Sequence, residues 1–199
     1  MKKSSEIHPT LLSVTWPTAH PSLLRAFILV VAGSTLLTLS AKINVPFYPV
    51  PMTMQTFVVL VISMAFGPVL AIATVGVYLL QGMLGLPVFA GTPARGIGWA
   101  YMVGPTGGYL LGFLIASGLL GVFARRGFDR SFAMTLVAMT AGTLVIYIPG
   151  FLWLWAFIGA EKAWMFGVGP FLPAAACKIL LAALVLPTAW KLIGRAHSG

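Results

Sequence analysis

Six long apolar stretches, broken by prolines, glycines and clusters of basic residues, follow one another along the chain and leave it few ways to fold. The first covers about residues 22–41, after Pro21 and with Arg25 in its first turn. The second, 53–66, ends at Gly67-Pro68, and the third, 69–84, ends at Gly85-Leu86-Pro87. An uncharged Gly-Pro turn between two apolar runs reads as a helical hairpin. The fourth, 108–124, stops at Arg125-Arg126-Gly127-Phe128-Asp129-Arg130. The fifth begins near Ser131 and meets Pro149-Gly150, and the sixth starts at 170–173 and ends near Trp190, Lys191 and Arg195. The second is short against the roughly 20 residues a crossing needs. Only 8% of the 199 residues are charged and 59% are hydrophobic, where a soluble domain carries about 25% charged residues. So few charges could not cover a surface in water, but lipid as solvent removes that demand. The expected fold is all-α, a polytopic membrane protein with six transmembrane helices. Trp153, Trp155 and Trp164 suit a membrane–water interface.

The net charge of +9 would point to nucleic acid in a soluble protein. Here the basic residues sit between apolar runs with no interleaved aromatics, so a nucleic-acid partner is not expected, and the positive-inside rule explains them better. With the N-terminus inside and six crossings, Lys2, Lys3, Arg25, Arg125, Arg126, Arg130, Lys191 and Arg195 fall inside, against Lys42, Arg95 and Lys162 outside. This predicts a multi-pass membrane protein with both termini cytoplasmic. Residues 1–21 then form a loosely ordered cytoplasmic tail, 22–193 the transmembrane domain and 194–199 a second cytoplasmic tail. Gly108, Gly112 and Ala116, four apart, give the close-packing pattern of membrane helices, read first as packing within the protein.

Two irregular segments stand out. Residues 42–51 hold Pro46, Pro49 and Pro51 beside Tyr48, which forbids a helix and makes a stiff apolar loop, a candidate lid over a site. Residues 86–107 are rich in glycine and proline around Arg95, and long ordered loops are often functional. Lys178 is the sharpest single residue. It lies in the last apolar stretch, and the three acids of the chain, Glu6, Asp129 and Glu161, are all in tails or turns. An ionised group there costs several kcal/mol unless paired or hydrated. Snorkelling to the headgroups is one reading, and a bound anion completing the pair is the other. Arg95 on the same side would supply a forked donor for a carboxylate beside the point charge of Lys178. Gln55, Gln81, Asn44 and Tyr109 are the candidate neutral partners, with helix–helix hydrogen bonding as their alternative role.

Other chemistry is poorly supported. The single Cys177 excludes an internal disulfide, and His8, His20 and His197 all lie near the termini, so no metal site and no cofactor is expected. No G-x-x-x-x-G-K-[ST] occurs, and no Ser–His pair or His–Glu cluster lies in an apolar stretch. An enzyme is therefore not expected.

Val50-Pro51-Met52-Thr53-Met54-Gln55-Thr56-Phe57, Gly85-Leu86-Pro87-Val88-Phe89-Ala90-Gly91, Gly104-Pro105-Thr106-Gly107-Gly108-Tyr109-Leu110-Leu111-Gly112-Phe113 and Pro170-Phe171-Leu172-Pro173 before Lys178 stand in that order. Together they resemble the BioY family of biotin transporters, the substrate-binding S components of energy-coupling factor (ECF) uptake systems. The resemblance covers about residues 25–193. It implies a six-helix, ECF S-component-like fold with an outward biotin pocket, a lid after the first helix, and Arg95 and Lys178 near the biotin carboxylate or the polar groups of the pocket. It also implies a place in the bacterial cell (inner) membrane and partners, an ECF membrane coupling protein and a pair of ATPase subunits. The chain departs from the family pattern twice. Ala175 stands where the last-helix motif usually has an aspartate three residues before the lysine, and no Ala/Gly pair four apart occurs between Ala26 and Ala41, where S components commonly carry one for docking. A structural membrane subunit with no small-molecule ligand is the alternative reading.

Overall fold

Ser22 opens the first long helix, its hydroxyl accepting from the Arg25 amide, an N-cap arrangement that satisfies one of the orphan donors of the first turn. In the computed structural model, which describes residues 8–16, 22–45 and 48–196, the elements are α1 (Leu11–Thr15), α2 (Leu23–Lys42), β1 (Asn44–Val45), β2 (Met52–Thr53), α3 (Gln55–Phe66), α4 (Pro68–Met83), α5 (Gly98–Met102), α6 (Gly107–Arg125), α7 (Phe132–Ile158), α8 (Ala160–Gly167) and α9 (Leu172–Ala196). Short 3-10 turns cover Phe128–Arg130 and Gly169–Phe171. Six helices, α2, α3, α4, α6, α7 and α9, run back and forth as a bundle. Among the described residues four segments are long and apolar enough to cross a membrane, Leu23–Lys42, Gly107–Arg125, Phe132–Ile158 and Ala160–Ile193, while α3 and α4 are shorter apolar helices. The alternation puts the 43–54 and 84–106 connections at one end of the bundle, the loop end, and the described N-terminal residues with the end of α9 at the other, the terminal end.

α6 is the central helix, with 56% of its apolar window buried against 22–33% in the other three spans. Its small residues face α7. A Cβ on Gly112 would stand 2.7 Å from the Ile146 Cα, and Ala116 is fully buried. The 108–112–116 stripe therefore packs inside the protein, as the first of its two readings had it.

The structure departs from the sequence expectations at three places. α7 does not end at Pro149-Gly150 but continues to Ile158 with Pro149 inside it. Proline costs a ladder bond, yet membrane helices tolerate it where neighbouring helices and local adjustments re-satisfy the backbone, and here α6 packs directly against the Pro149 turn. The 43–54 connection folds back as a two-residue antiparallel ladder, Asn44 opposite Thr53 and Val45 opposite Met52, a small exception to an all-helical chain. The N-terminal residues 8–16 pack on the bundle instead of trailing from it. The His8 amide donates to the Arg125 carbonyl at 2.8 Å, Arg130 reaches Pro9 and Arg25 reaches Leu12. Leu11 is buried. The physical reason lies in α3: twelve residues span about 18 Å of a hydrocarbon layer about 30 Å thick, and α1 fills space beneath the short hairpin, with Thr10 against Gly67. Residues 1–7, 17–21 and 197–199 of the two expected tails lie outside the described residues.

Candidate functional site: an aromatic cleft with a lysine at its wall

At the loop end the backbone stops being helical, and the bundle holds a narrow cleft with a free volume of about 50 Å³, tighter than the roughly 300–1,000 Å³ usual for small-molecule sites. Each wall has a different origin. The β1–β2 connection brings Val50, Pro51, Met52 and Thr53, and the first turn of α3 brings Gln55 and Thr56. The 84–106 segment supplies Phe89, Ala90, Tyr101 and Thr106, α6 supplies Tyr109, Leu110 and Phe113, α7 supplies Tyr147, and Phe171 and Lys178 come from the chain leading into and along α9.

Two tyrosine hydroxyls of the wall, those of Tyr101 and Tyr109, are tied back into the protein, which presents their rings to the cleft. Tyr101 donates to the Ala90 carbonyl at 2.8 Å and Tyr109 to the Gly167 carbonyl at 2.6 Å. Burial pushes the Tyr101 hydroxyl above its ordinary value, against the hydrogen bond from Thr106 and the charge of Arg95, so it stays a donor. Phe89 stacks on Tyr101 with centroids 4.9 Å apart and meets Tyr78 edge-on at 5.4 Å, contacts worth about 0.5–1.5 kcal/mol each beyond area burial. Gly82 makes room for this arrangement, since a methyl there would overlap the Phe89 ring. Gly150 likewise makes room for the ring of Tyr109.

Lys178 supplies the charge. Its ammonium donates to the Thr53 carbonyl and, at 2.9 Å, to the Thr56 hydroxyl. An ammonium has three N–H donors, so these two bonds leave capacity for a third. Among the described residues no acid lines the cleft, so there its positive charge meets dipoles and no described counter-ion. A cleft with an apolar aromatic body and one uncompensated cation is built for an amphipathic small anion.

The other expected residues divide. Gln55 and Tyr109 line the cleft with Lys178, as does Pro51. Gln55 also donates to the Tyr78 hydroxyl. Gln81 does not reach the cleft: it accepts from Ser34, joining α4 to α2. Asn44 closes the end of α2, its amide donating to the Ala41 and Lys42 carbonyls at 3.1 Å. Arg95 sits in an adjoining outer cleft with Tyr48, Pro49 and Pro105, which shares Tyr101 and Thr106 with the inner one. There its guanidinium donates to the Pro49 carbonyl at 3.3 Å, tying the 84–106 segment to the proline-rich connection. Tyr48 is 82% exposed, and Pro46 lies outside the described residues. Sequence reasoning passed over Phe89, Tyr101, Tyr147 and Phe171, aromatics in a chain already rich in them. It also passed over Thr53 and Thr56, the partners of Lys178.

Fold and cleft together define a polytopic membrane protein that encloses a small-molecule site at one end of a six-helix bundle. A solved structure titled as the S-component for biotin from an ECF-type ABC transporter has the same fold, with a TM-score of 0.72 over 84% of this chain and 92% of that one at 22% identity. The chain belongs to the BioY family, whose model matches residues 8–195. Among its relatives are a protein named probable biotin transporter BioY from Pyrococcus horikoshii, 37% identical over 75% of this chain and 86% of that protein. Another is the biotin transporter BioY of Thermotoga maritima, 36% identical over 76% and 88%.

Proposed function

We propose that the chain is a biotin-binding S component, which captures biotin at its loop end and delivers it inward with ECF partner subunits. The observation that carries the reading is Lys178, a cation with no acid beside it among the described residues, on the wall of an aromatic cleft. Biotin offers a carboxylate for the cation and, for the rings, an apolar chain and a bicycle that is polar at its ureido group. The family name and the names of the relatives support the choice of biotin over other small anions.

In this reading Lys178 holds the carboxylate, Gln55 and Tyr109 belong to the surrounding wall, and the proline-rich loop of residues 42–51 acts as the lid. The loop end faces outward and both termini are cytoplasmic, in keeping with the excess of Lys and Arg at the terminal end. Partner subunits follow from energetics. Moving one negative charge into a cell against about 100 mV costs about 2.3 kcal/mol. The chain carries no phosphate-binding loop motif, so concentrative uptake needs a coupled source, an ATPase pair joined through a membrane coupling protein.

Two measurements test this. Purified chain in detergent or nanodiscs is titrated with biotin, and absence of binding would sink the reading and leave a purely structural subunit. The same chain is then reconstituted alone in liposomes with an inside-negative potential and labelled biotin outside. Accumulation above the outside concentration without ATP or other proteins would refute dependence on partners.

A further inference from the structure

Pro87–Thr92 forms part of the cleft wall through Phe89 and Ala90, yet it is neither helix nor strand. Backbone carbonyls so placed must find partners outside any ladder. All six do. Tyr78 donates to the Val88 carbonyl at 3.2 Å and Tyr101 to that of Ala90 at 2.8 Å, while the Arg95 amide reaches Gly91 at 3.0 Å. The other three all meet one further side chain, and the Phe89 carbonyl also accepts from the Thr92 hydroxyl at 2.7 Å and the Thr92 amide at 3.3 Å. The Lys42 ammonium lies 2.7 Å from the Pro87 carbonyl, 3.1 Å from that of Phe89 and 3.2 Å from that of Thr92, with the Thr92 hydroxyl at 3.1 Å.

This is more than the role of a basic residue at a helix end. Lys42 closes α2, and four acceptors on a six-residue segment converge on its nitrogen, so the segment curls around a cation supplied by a helix that does not itself line the cleft. The middle acceptor belongs to Phe89, whose ring stacks on Tyr101 in the wall. Three carbonyl dipoles pointed at one place repel one another, and the ammonium turns that repulsion into attraction.

We propose that Lys42 is a positioning residue for the binding cleft: it gathers the carbonyls of Pro87, Phe89 and Thr92 and so fixes where Phe89 stands against the ligand. For the identity of the ligand this rests on the proposed function. Without the ammonium, the wall opens more often and a bound molecule escapes sooner, while its rate of entry changes little.

The test uses the full chain in nanodiscs and the variants Lys42→Met and Lys42→Arg. Hydrogen exchange is followed without ligand, and biotin association and dissociation are followed separately. In Lys42→Met, peptides covering 86–97 exchange about tenfold faster or more, with α6 and α7 unchanged. Biotin dissociation accelerates about fivefold or more with association within about twofold. Lys42→Arg, which keeps a cation with several donors, recovers at least half of both effects. Unchanged exchange in 86–97 overturns the proposal, and so does faster exchange with unchanged dissociation. If Lys42→Met does not yield folded protein, Lys42→Gln, which keeps an N–H donor and removes the charge, is read by the same criteria at smaller amplitude. Failure of the unaltered chain to bind biotin would overturn the proposed function instead, and the exchange measurement alone would then decide the role of Lys42.

Discussion

Replacing Lys178 by methionine keeps most of the side-chain volume and removes the ammonium, so it isolates the charge. In the folded protein two bonds disappear, to the Thr53 carbonyl and the Thr56 hydroxyl. Both acceptors belong to residues of the cleft wall, where water can replace the ammonium when no ligand is bound. The cost to the fold is therefore at the low end for a hydrogen bond, about 0.5–1 kcal/mol, and is offset in part because a desolvated cation is gone. The ligand loses more. A charge-assisted bond to a carboxylate is worth about 1.5–3 kcal/mol, a loss of roughly 10- to 150-fold in affinity at 1.4 kcal/mol per factor of ten. The assay is a pair of titrations by calorimetry, one with biotin and one with biotin amide, on the unaltered protein and on Lys178→Met, with melting followed in parallel. The variant should bind biotin at least about tenfold more weakly, and the amide about equally well in both proteins. Unchanged biotin affinity would show that Lys178 serves only Thr53 and Thr56. An equal loss for acid and amide would place the cation away from the carboxylate.

Three further outcomes follow. Gly82→Ala places a methyl inside the Phe89 ring and should lower stability by about 1–3 kcal/mol, as overpacking does, with biotin affinity falling too; an unchanged melting temperature would mean that Phe89 moves aside freely. Arg95→Lys weakens the clamp on the Pro49 carbonyl, because lysine lacks the fork, and should hasten release of biotin and biotin amide alike; an effect confined to the acid would return Arg95 to the carboxylate. Asp129 lies in the turn before α7, with its carboxyl pushed up by burial against the opposing hydrogen bond from Trp190 and the charges of Arg130 and His8. A carboxyl raised in the folded state favours folding below its unfolded value of 3.8, and that contribution is lost as pH climbs through the folded value. The melting temperature should therefore fall as pH rises above the unfolded value, and Asp129→Asn should flatten the fall; equal slopes in both proteins would assign the dependence to other groups.

Most of the helical plan was legible because apolar length is a strong signal and because Gly67-Pro68 and Arg125-Arg126-Gly127 end helices for local reasons. Pro149 misled for the same local reason. A proline predicts a break on the scale of one turn, and whether the break happens depends on what packs beside it, here α6 with glycines at 108 and 112. The N-terminal segment misled in the opposite direction. Its five-residue helix is too short to hold itself together in water, and only the space under the short α3 gives Leu11 somewhere to be buried.

Legibility of the cleft follows contrast. Lys178 stands out in an apolar helix, and Gln55 and Tyr109 stand out nearly as well, so the sequence could single them out. Gln81 had the same contrast and a different use, because an amide in a helix is satisfied equally by a ligand or by a neighbouring hydroxyl, and Ser34 happens to stand opposite. Phe89, Tyr101, Tyr147 and Phe171 have no contrast at all, since any of them could face lipid, core or ligand. What selects them is a set of long-range backbone relations: the glycine at 82 that admits one ring, and the carbonyls of 87–92 that turn toward Lys42. A basic residue at the end of a membrane helix reads as a topological anchor. Lys42 fits that description completely, and nothing in the order of residues says that its nitrogen is met by three carbonyls from a segment some 45 positions away.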